Sequence, residues 1–385
     1  MARRAPVSAL GAVLFVRLAD ESAVFVPFGT LESFRADLGL TYAQAGTVLA
    51  AIAPGALVGG VFSAAADRHS RRVIAAGGAL ALALALALFA LAGSFAVLVL
   101  GGFVMGVAST AMVDAAEVAL VDMAGDDLRR WLARSNLLAT VGDLIGPALV
   151  AGAVLLGLSW RAAFGVGAAL MALYALALAG APLPAPTAPG RAADDRRSPS
   201  GLRAVLGDPA VVVLGLIGLL MVPFDEPLVG FTIALLEQER GASAATATMV
   251  AFIGICGGVF AFAVLAPRFE GVTDHRLLLW SVTAMTAGAV TMAVVPVLAV
   301  VAVAGVVTAI GLSLAWLAVQ HRSLVLRPGQ VGTTKAVLGA IESTGSWLPI
   351  GVGVIADGAG LGWAVGTFGI VGGILIALSR WSGRR

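Results

Sequence analysis

Eight carboxylates lie within stretches of this chain that are otherwise apolar enough to cross a membrane. A charged side chain near the centre of a bilayer costs at least about 2.5 kcal/mol on insertion scales. Such groups therefore usually face a cavity and handle ions, protons or charged substrates. We identify a single basic residue, Arg17, at a comparable depth. The eight acids are Asp20, Glu21, Asp114, Glu117, Asp143, Asp225, Glu226 and Glu342.

The composition is that of an all-α membrane protein. Of the 385 residues, 59% are hydrophobic and 12% are charged, whereas about one quarter of a soluble domain is charged. Helices satisfy the backbone hydrogen bonds that lipid cannot, and the alternating segments of a membrane β-barrel do not appear. The single Cys256 excludes an intramolecular disulfide and a cysteine metal cage. The basic residues are dispersed among short loops, so the sequence does not indicate nucleic-acid binding.

Stretches of about 20 mostly apolar residues, the length that crosses a bilayer, occur twelve times. The basic start of the chain is similar to a signal peptide, but the charges at 17, 20 and 21 indicate a first span that is retained. The spans are predicted at roughly 8–30, 42–64, 73–93, 96–119, 132–157, 162–181, 209–235, 244–266, 276–295, 297–320, 335–356 and 361–379.

Nearly all the basic residues fall in loops on one side of these spans. This bias predicts that both termini are cytoplasmic. We also expect the protein to lie in the inner cell membrane. Pro, Ala and Arg dominate residues 182–208, and we see no apolar period there, so we predict a flexible cytoplasmic linker. The linker divides the chain into a six-helix bundle at 1–181 and a second one at 209–385.

The two predicted bundles repeat each other. The acidic pair at 20–21 recurs 205 residues later at 225–226, and Gly142 of the fifth span lies 203 residues before Gly345. A repeat kept in order, spacing and orientation predicts two bundles related by a pseudo-twofold axis along the membrane normal.

The loop after the second span reads SAAADRHSRRVI at residues 63–74. It resembles the loop signature of the major facilitator superfamily, in which Asp67, Arg68, Arg71 and Arg72 match while serines replace the two glycines. The resemblance in topology and loops covers the whole chain. It implies twelve transmembrane helices in two six-helix bundles, and transport by alternating access.

Span five resembles the antiporter signature of the same superfamily. Gly142, Gly146 and Pro147 match it, although the glycine pair that usually follows the proline is incomplete. Gly102 of span four stands where many proton-coupled drug exporters have an arginine. The matching residues imply close helix packing and a bend.

The resemblance also implies where the polar residues act. Asp67 would lie near the N-terminus of the eleventh helix, which starts near Thr333, and the arginines would pair with acids such as Asp122. This cluster would close the cytoplasmic side in one state and release it in the other. Spans 1, 4, 7 and 10 would line a central cavity, whereas spans 3, 6, 9 and 12 would face lipid.

Carboxylates in a low-dielectric site resist ionisation, so they can take up and release protons as access alternates. Pro223 and Pro227 bracket the second acidic pair and should bend or loosen span seven. The predicted proton and substrate site consists of Arg17, Asp20, Glu21, Asp114, Asp225 and Glu226. Coupling or interface residues are predicted at Glu117, Asp143, Trp316, Gln320 and Glu342.

The predicted function is a proton-coupled antiporter that exports a small cationic or amphipathic compound. We expect a monomer whose partners are the substrate, protons and the lipid bilayer. His69, His275 and His321 lie in or beside loops without a ligand spacing, so we predict no metal site. No nucleotide motif appears, so we expect neither an enzyme nor a cofactor. Proton-coupled uptake, divalent-cation efflux, lipid export and a non-transporting receptor stay open as alternatives.

Overall fold

The computed structural model describes residues 7–30, 33–34, 37–40, 42–184 and 199–382, and those residues form helices without any strand. The first six helices follow the predicted spans closely. They are α1 (Val7–Gly29), α2 (Tyr42–Ala50 continued by Ile52–Ala65), α3 (Arg71–Ala90), α4 (Phe95–Ala124), α5 (Leu128–Leu155) and α6 (Trp160–Gly180).

The next six helices contain more interruptions. They are α7 (Pro209–Met221, a 3-10 turn Val222–Phe224, then Glu226–Gln238), α8 (Ala244–Phe260, a π-helical segment Ala261–Leu265, then Ala266–Arg268), α9 (Asp274–Val294), α10 (Leu298–Val325), α11 (Val331–Ser343, a 3-10 turn Thr344–Trp347, then Leu348–Ala359) and α12 (Leu361–Ser382). Twelve helical segments of the described residues thus correspond to the twelve predicted spans, and the all-α fold class is confirmed.

Eight stretches of the described residues are long and apolar enough to cross a membrane. One of them, Phe95–Gly146, runs through both α4 and α5. α1 is not among the eight because Arg17, Asp20 and Glu21 interrupt its apolar sequence. α8 contains a shorter apolar helix, Phe252–Arg268.

The linker contains a helix that the sequence analysis did not predict. Residues Pro199–Leu206 form two helical turns, and Val205 is fully buried. The expectation that residues 182–208 have no apolar period was wrong at this end, because apolar residues at 202, 205 and 206 follow helical spacing. The helix packs against α11.

Contacts divide the chain into two compact units. The first unit is Met1–Gly207 with Leu324–Ser343, and the second is Asp208–Ser323 with Thr344–Arg385. The first part of α11, Val331–Ser343, packs against α2 within the first unit. The predicted division of the chain into bundles at 182–208 stays a prediction.

α2 and α4 approach each other closely in the first unit. A Cβ atom built on Gly102 would lie 2.4 Å from the carbonyl oxygen of Val48, and one on Gly106 would lie 2.0 Å from that of Ile52. Small residues allow this backbone contact, which is a common way for membrane helices to pack. Position 102 therefore has no room for the arginine that drug exporters have there, because α2 already fills that space.

Candidate functional site

Six of the eight predicted acids lie in the first unit, and only Asp225 and Glu226 lie in the second. α1, α4, α5 and the first part of α11 carry the six. Two basic side chains accompany them, and only Arg17 was predicted. We call these eight residues the acidic cluster: Arg17, Asp20, Glu21, Asp114, Glu117, Asp143, Lys335 and Glu342.

α1 contributes an ion pair and a buried acid. Arg17 Nη2 lies 3.3 Å from Glu21 Oε1, one helical turn away. Asp20 points elsewhere because adjacent residues diverge by about 100° around a helix. It is 4% exposed, and its Oδ1 has no hydrogen-bond partner among the described residues. It interacts electrostatically with Glu21, Arg17 and Asp114.

α4 contributes Asp114 and Glu117, which share one face and are both buried. Ser63 of α2 donates a hydrogen bond of 2.5 Å from its Oγ to Asp114 Oδ2. Lys335 Nζ lies 2.8 Å from Glu117 Oε2 and 3.4 Å from Asp114 Oδ1. Glu117 is only 4% exposed, so both acids of α4 lie inside the protein.

Lys335 is the candidate site residue that the sequence did not indicate. The statement that Arg17 is the only base at depth was wrong, because Lys335 lies in the first turns of α11 and reaches two buried acids of α4. One signal was available: this residue is the only lysine of the chain, and it lies two turns before Glu342 on the same helix.

The remaining two acids complete the cluster. Glu342 is half-buried and interacts electrostatically with Lys335, Asp114 and Glu117. Asp143 of α5 is half-buried and interacts with Arg17. Six carboxylates thus surround two basic groups, and the cluster has an excess of acidic side chains.

The predicted antiporter-like glycines lie directly beside the cluster. A Cβ atom on Gly142 would be 2.8 Å from the carbonyl oxygen of Leu18 and 2.9 Å from Glu21 Cβ. One on Gly146 would be 2.8 Å from Phe25 Cβ. α5 therefore packs against α1 through small residues one turn apart, and Pro147 follows within the same helix.

The loop motif joins α2 to the start of α11. Asp67 Oδ1 accepts a hydrogen bond from the backbone N–H of Gly332 at 2.8 Å, and Oδ2 accepts from the backbone N–H and hydroxyl of Thr333 at 3.0 and 3.1 Å. A carboxylate at a helix N-terminus satisfies free N–H groups and interacts favourably with the dipole. Gly332 leaves no space for a side chain, since its Cβ would lie 2.2 Å from Ser63 O.

The arginines of the motif differ in exposure. Arg71 is buried, forms an ion pair with Asp122, and donates from Nε to Ala66 O. Arg68 and Arg72 are exposed. The motif therefore contains one partly buried ion pair and one carboxylate bound to a helix end.

The second unit holds its acids at a break in α7. Asp225 is exposed and separates the 3-10 turn from Glu226, where the second part of the helix begins. The side chain of Glu226 lies outside the part of the structure that is described. Pro223 and Pro227 cannot donate backbone hydrogen bonds, which accounts for the break.

α10 carries the other predicted residues of the second unit. Trp316 and Gln320 are half-buried and one turn apart. His321 Nδ1 lies 2.7 Å from Asp274 Oδ2 at the start of α9, and Arg322 Nη2 donates to Ser382 O at 3.1 Å. Within the described residues, no group of three His, Cys, Asp or Glu could hold a metal ion.

The sequence matches the family model of the Major Facilitator Superfamily over residues 10–348. The chain belongs to this superfamily. It is therefore a multi-pass membrane transporter and not an enzyme, and the predicted family and fold are confirmed. Transporters of this superfamily bind small-molecule substrates and coupled ions such as protons, and they typically use ion gradients rather than cofactors.

Solved structures of the superfamily share the fold. The fucose:proton symporter of E. coli, FucP, is 15% identical with a TM-score of 0.79, over 97% of this chain and 98% of its own. The human organic anion transporter MFSD10 is 18% identical with a TM-score of 0.76, over 97% and 100%. The proton:xylose symporter XylE is 13% identical with a TM-score of 0.79, over 96% and 94%. No curated protein sequence matches the chain.

Proposed function

We propose that this transporter is a proton-coupled antiporter that exports a small cationic or amphipathic compound. The acidic cluster carries the proposal, because six buried or half-buried carboxylates accompany only two basic groups in the first unit. We further propose that it works as a monomer in the inner cell membrane, with both termini cytoplasmic, as the distribution of basic residues predicts.

Asp20 is the proposed proton carrier. A buried carboxylate oxygen without a hydrogen-bond donor is costly, and binding a proton or a cation removes that cost. Asp20 Oδ1 is in this position among the described residues. Arg17 forms an ion pair with Glu21 on the same helix. Asp20 can therefore bind and release a proton or a cation as access alternates.

The sign of the charge supports a cationic substrate. An excess of carboxylates in a site with low-dielectric walls concentrates cations and repels anions. Proton-coupled uptake is the second candidate, because two of the similar proteins, FucP and XylE, are sugar:proton symporters, although they are at most 16% identical to this chain.

Asp67 is the proposed conformational lock on the cytoplasmic side. Its hydrogen bonds to Gly332 and Thr333 hold the start of α11 against α2. These bonds form only while the carboxylate of Asp67 lies against the N-terminus of α11. We propose that these bonds form in one state of the transport cycle and break in the other. Arg71 and Asp122 support the same loop.

Purified protein in liposomes that contain a pH-sensitive dye tests the proposal. Addition of a cationic amphipathic compound to one side should release protons from the other compartment, and an imposed pH gradient should drive the compound against its own gradient. A dicarboxylate of similar size is the matched negative control. Gradient-driven transport of the dicarboxylate that depends on Arg17 would overturn the cation assignment and indicate an anion transporter.

A further inference from the structure

We propose that Ser63, Asp114 and Glu117 form a binding site for a protonated amine, and that Lys335 occupies this site as an internal ligand which an external amine displaces. The inference rests on the proposed export of a cationic compound and specifies the chemistry of one of its sites. Ser63, Asp114, Glu117 and Lys335 are hereafter the ammonium site.

The geometry is that of an ammonium bound by two carboxylates. Lys335 Nζ contacts Glu117 Oε2 at 2.8 Å and Asp114 Oδ1 at 3.4 Å, so one cation serves both acids. Ser63 binds the second oxygen of Asp114 through a hydrogen bond that does not involve Lys335. The carboxylates are therefore positioned by α2 and α4, and the ammonium arrives from a different helix.

The exposed fractions of the side chains distinguish Lys335, the internal ligand, from the two acids that bind it. The side chain of Glu117 is 5% exposed and that of Asp114 is 11% exposed, whereas that of Lys335 is 20% exposed. Lysine carries a compact charge on a flexible four-carbon stem, so it can leave one position without a change in the backbone. The acids cannot follow it, because they are fixed in α4 and one of them is bound by Ser63.

A second observation points to an exchangeable cation at this place. Asp20, 4% exposed, interacts electrostatically with Asp114, and its Oδ1 has no hydrogen-bond partner among the described residues. The other basic group of the cluster, Arg17, is paired with Glu21. Displacement of Lys335 by an external amine would keep Asp114 and Glu117 paired and would release Lys335 toward Glu342, its other acidic neighbour.

The consequence is competition within one molecule. Where an internal ligand occupies a site for about nine-tenths of the time, the apparent affinity for an external ligand falls about tenfold. Lys335 thus sets the concentration of an external amine that the site requires, because an amine in solution displaces the tethered ammonium by mass action.

The single lysine of the chain makes the test direct. Wild-type protein is acylated with a membrane-permeant amine-reactive reagent, and mass spectrometry follows the peptide that contains Lys335. Trimethylammonium is the probe, since it has one N–H donor and cannot be acylated. A lysine-containing peptide in the same solution corrects for effects on the reagent. The neutral control is tert-butanol, and tetramethylammonium is the control for a cation without a donor.

We expect trimethylammonium to increase the labelling rate of Lys335 several-fold and tert-butanol to leave it unchanged. The double variant Asp114→Asn with Glu117→Gln should label quickly without any probe and should not respond to it. A second measurement uses Lys335→Ala, in which the affinity for trimethylammonium should rise about tenfold, while Lys335→Arg should keep the wild-type value.

An unchanged labelling rate in the wild type, at every probe concentration that leaves it folded, would overturn the inference. This failure is separable from that of the proposed function. Proton-coupled export of a cationic compound without displacement of Lys335 would refute the ammonium site alone. Displacement of Lys335 in a protein that transports no cation in liposomes would refute the proposed antiport and keep the site.

Discussion

α1 and α7 carry the same acidic pair at equivalent positions of the internal repeat, but the two pairs lie in different surroundings. Asp20 is buried in a continuous helix, whereas Asp225 is exposed at a helix break. The sequence explains the difference. Leu18 and Ser22 stand in α1 where α7 has prolines at 223 and 227, so α1 keeps the backbone bonds that α7 loses.

The glycines of the repeat behave differently from its acids. A Cβ atom on Gly142 would be 2.8 Å from the carbonyl oxygen of Leu18 in α1, and one on Gly345 would be 2.5 Å from that of Leu219 in α7. In the first unit, α5 therefore packs against α1 through Gly142. In the second unit, the 3-10 turn of α11 packs against α7 through Gly345. The two halves share their packing and differ in the chemistry of their acids.

The largest expected effect separates the two acidic pairs. Asp20→Asn should abolish the response of transport to a pH gradient, because the proposed proton carrier is removed from a buried position. Asp225→Asn should slow transport and keep the gradient response, because an exposed carboxylate is already hydrated. Proteoliposome transport with and without an imposed gradient measures both. An equal loss of the gradient response in the Asp20 and Asp225 variants would contradict the proposed difference between the two acidic pairs.

The shared packing predicts an effect of equal size in both units. Gly142→Val and Gly345→Val should each destabilise the protein by about 1–3 kcal/mol, because added methyl groups would overlap backbone atoms of the facing helix. Denaturation of the purified protein in detergent measures this. Gly152→Val is the control, since a Cβ there meets nothing within 4 Å. A loss of stability in only one of the two glycine variants would show that the helix packing at Gly142 and at Gly345 is not equivalent.

Much of this structure could be predicted from the sequence, because its strongest signals are local. Apolar length located all twelve helices, and the prolines at 223 and 227 located the break in α7. The ammonium site could not be found in this way. Lys335 and Glu117 are more than 200 residues apart, and only the packing of α11 within the first unit brings them to 2.8 Å. The interior position of a charge depends on such tertiary contacts, which a hydropathy pattern does not contain.

A smaller effect is expected when either of two carboxylates that bind helix N-termini is neutralised. Asp67 accepts from Gly332 and Thr333, and Glu239 in the second unit accepts from the backbone of Leu361 and Gly362 at 2.6 and 3.2 Å. Asp67→Asn should cost about 1–2 kcal/mol, and Glu239→Gln should cost less, because water screens the exposed contact. Only the Asp67 variant should also slow transport and increase the reactivity of single cysteines on the cytoplasmic side. Unchanged cysteine reactivity would rule out the proposed lock.

The smallest expected effect concerns the guanidinium groups that bind the C-terminal ends of the third helix in each half. Arg161 Nη2 donates to Ala92 O after α3 at 2.9 Å, and Arg240 donates to the carbonyl oxygens of Met292, Ala293 and Val295 at the end of α9. Cations are favourable there because free carbonyls and the helix dipole are negative. Arg161 has an additional partner, Asp37, at 2.5 Å.

Asp37 should make the contact between Arg161 and the end of α3 sensitive to acid pH. The hydrogen bond from Arg161 lowers the pKa of Asp37, so the ionised form stabilises the fold above the unfolded value of about 3.9, and this stabilisation is lost as the pH falls through the lowered pKa. The difference in melting temperature between wild type and Asp37→Asn should therefore be constant from neutral pH to about pH 5 and shrink below about pH 4. The difference between wild type and Arg240→Gln should stay constant over the same range, because neither a guanidinium nor a carbonyl titrates there. An Asp37→Asn difference that persists at the acid end would mean that the carboxylate stabilises this loop through its shape rather than its charge.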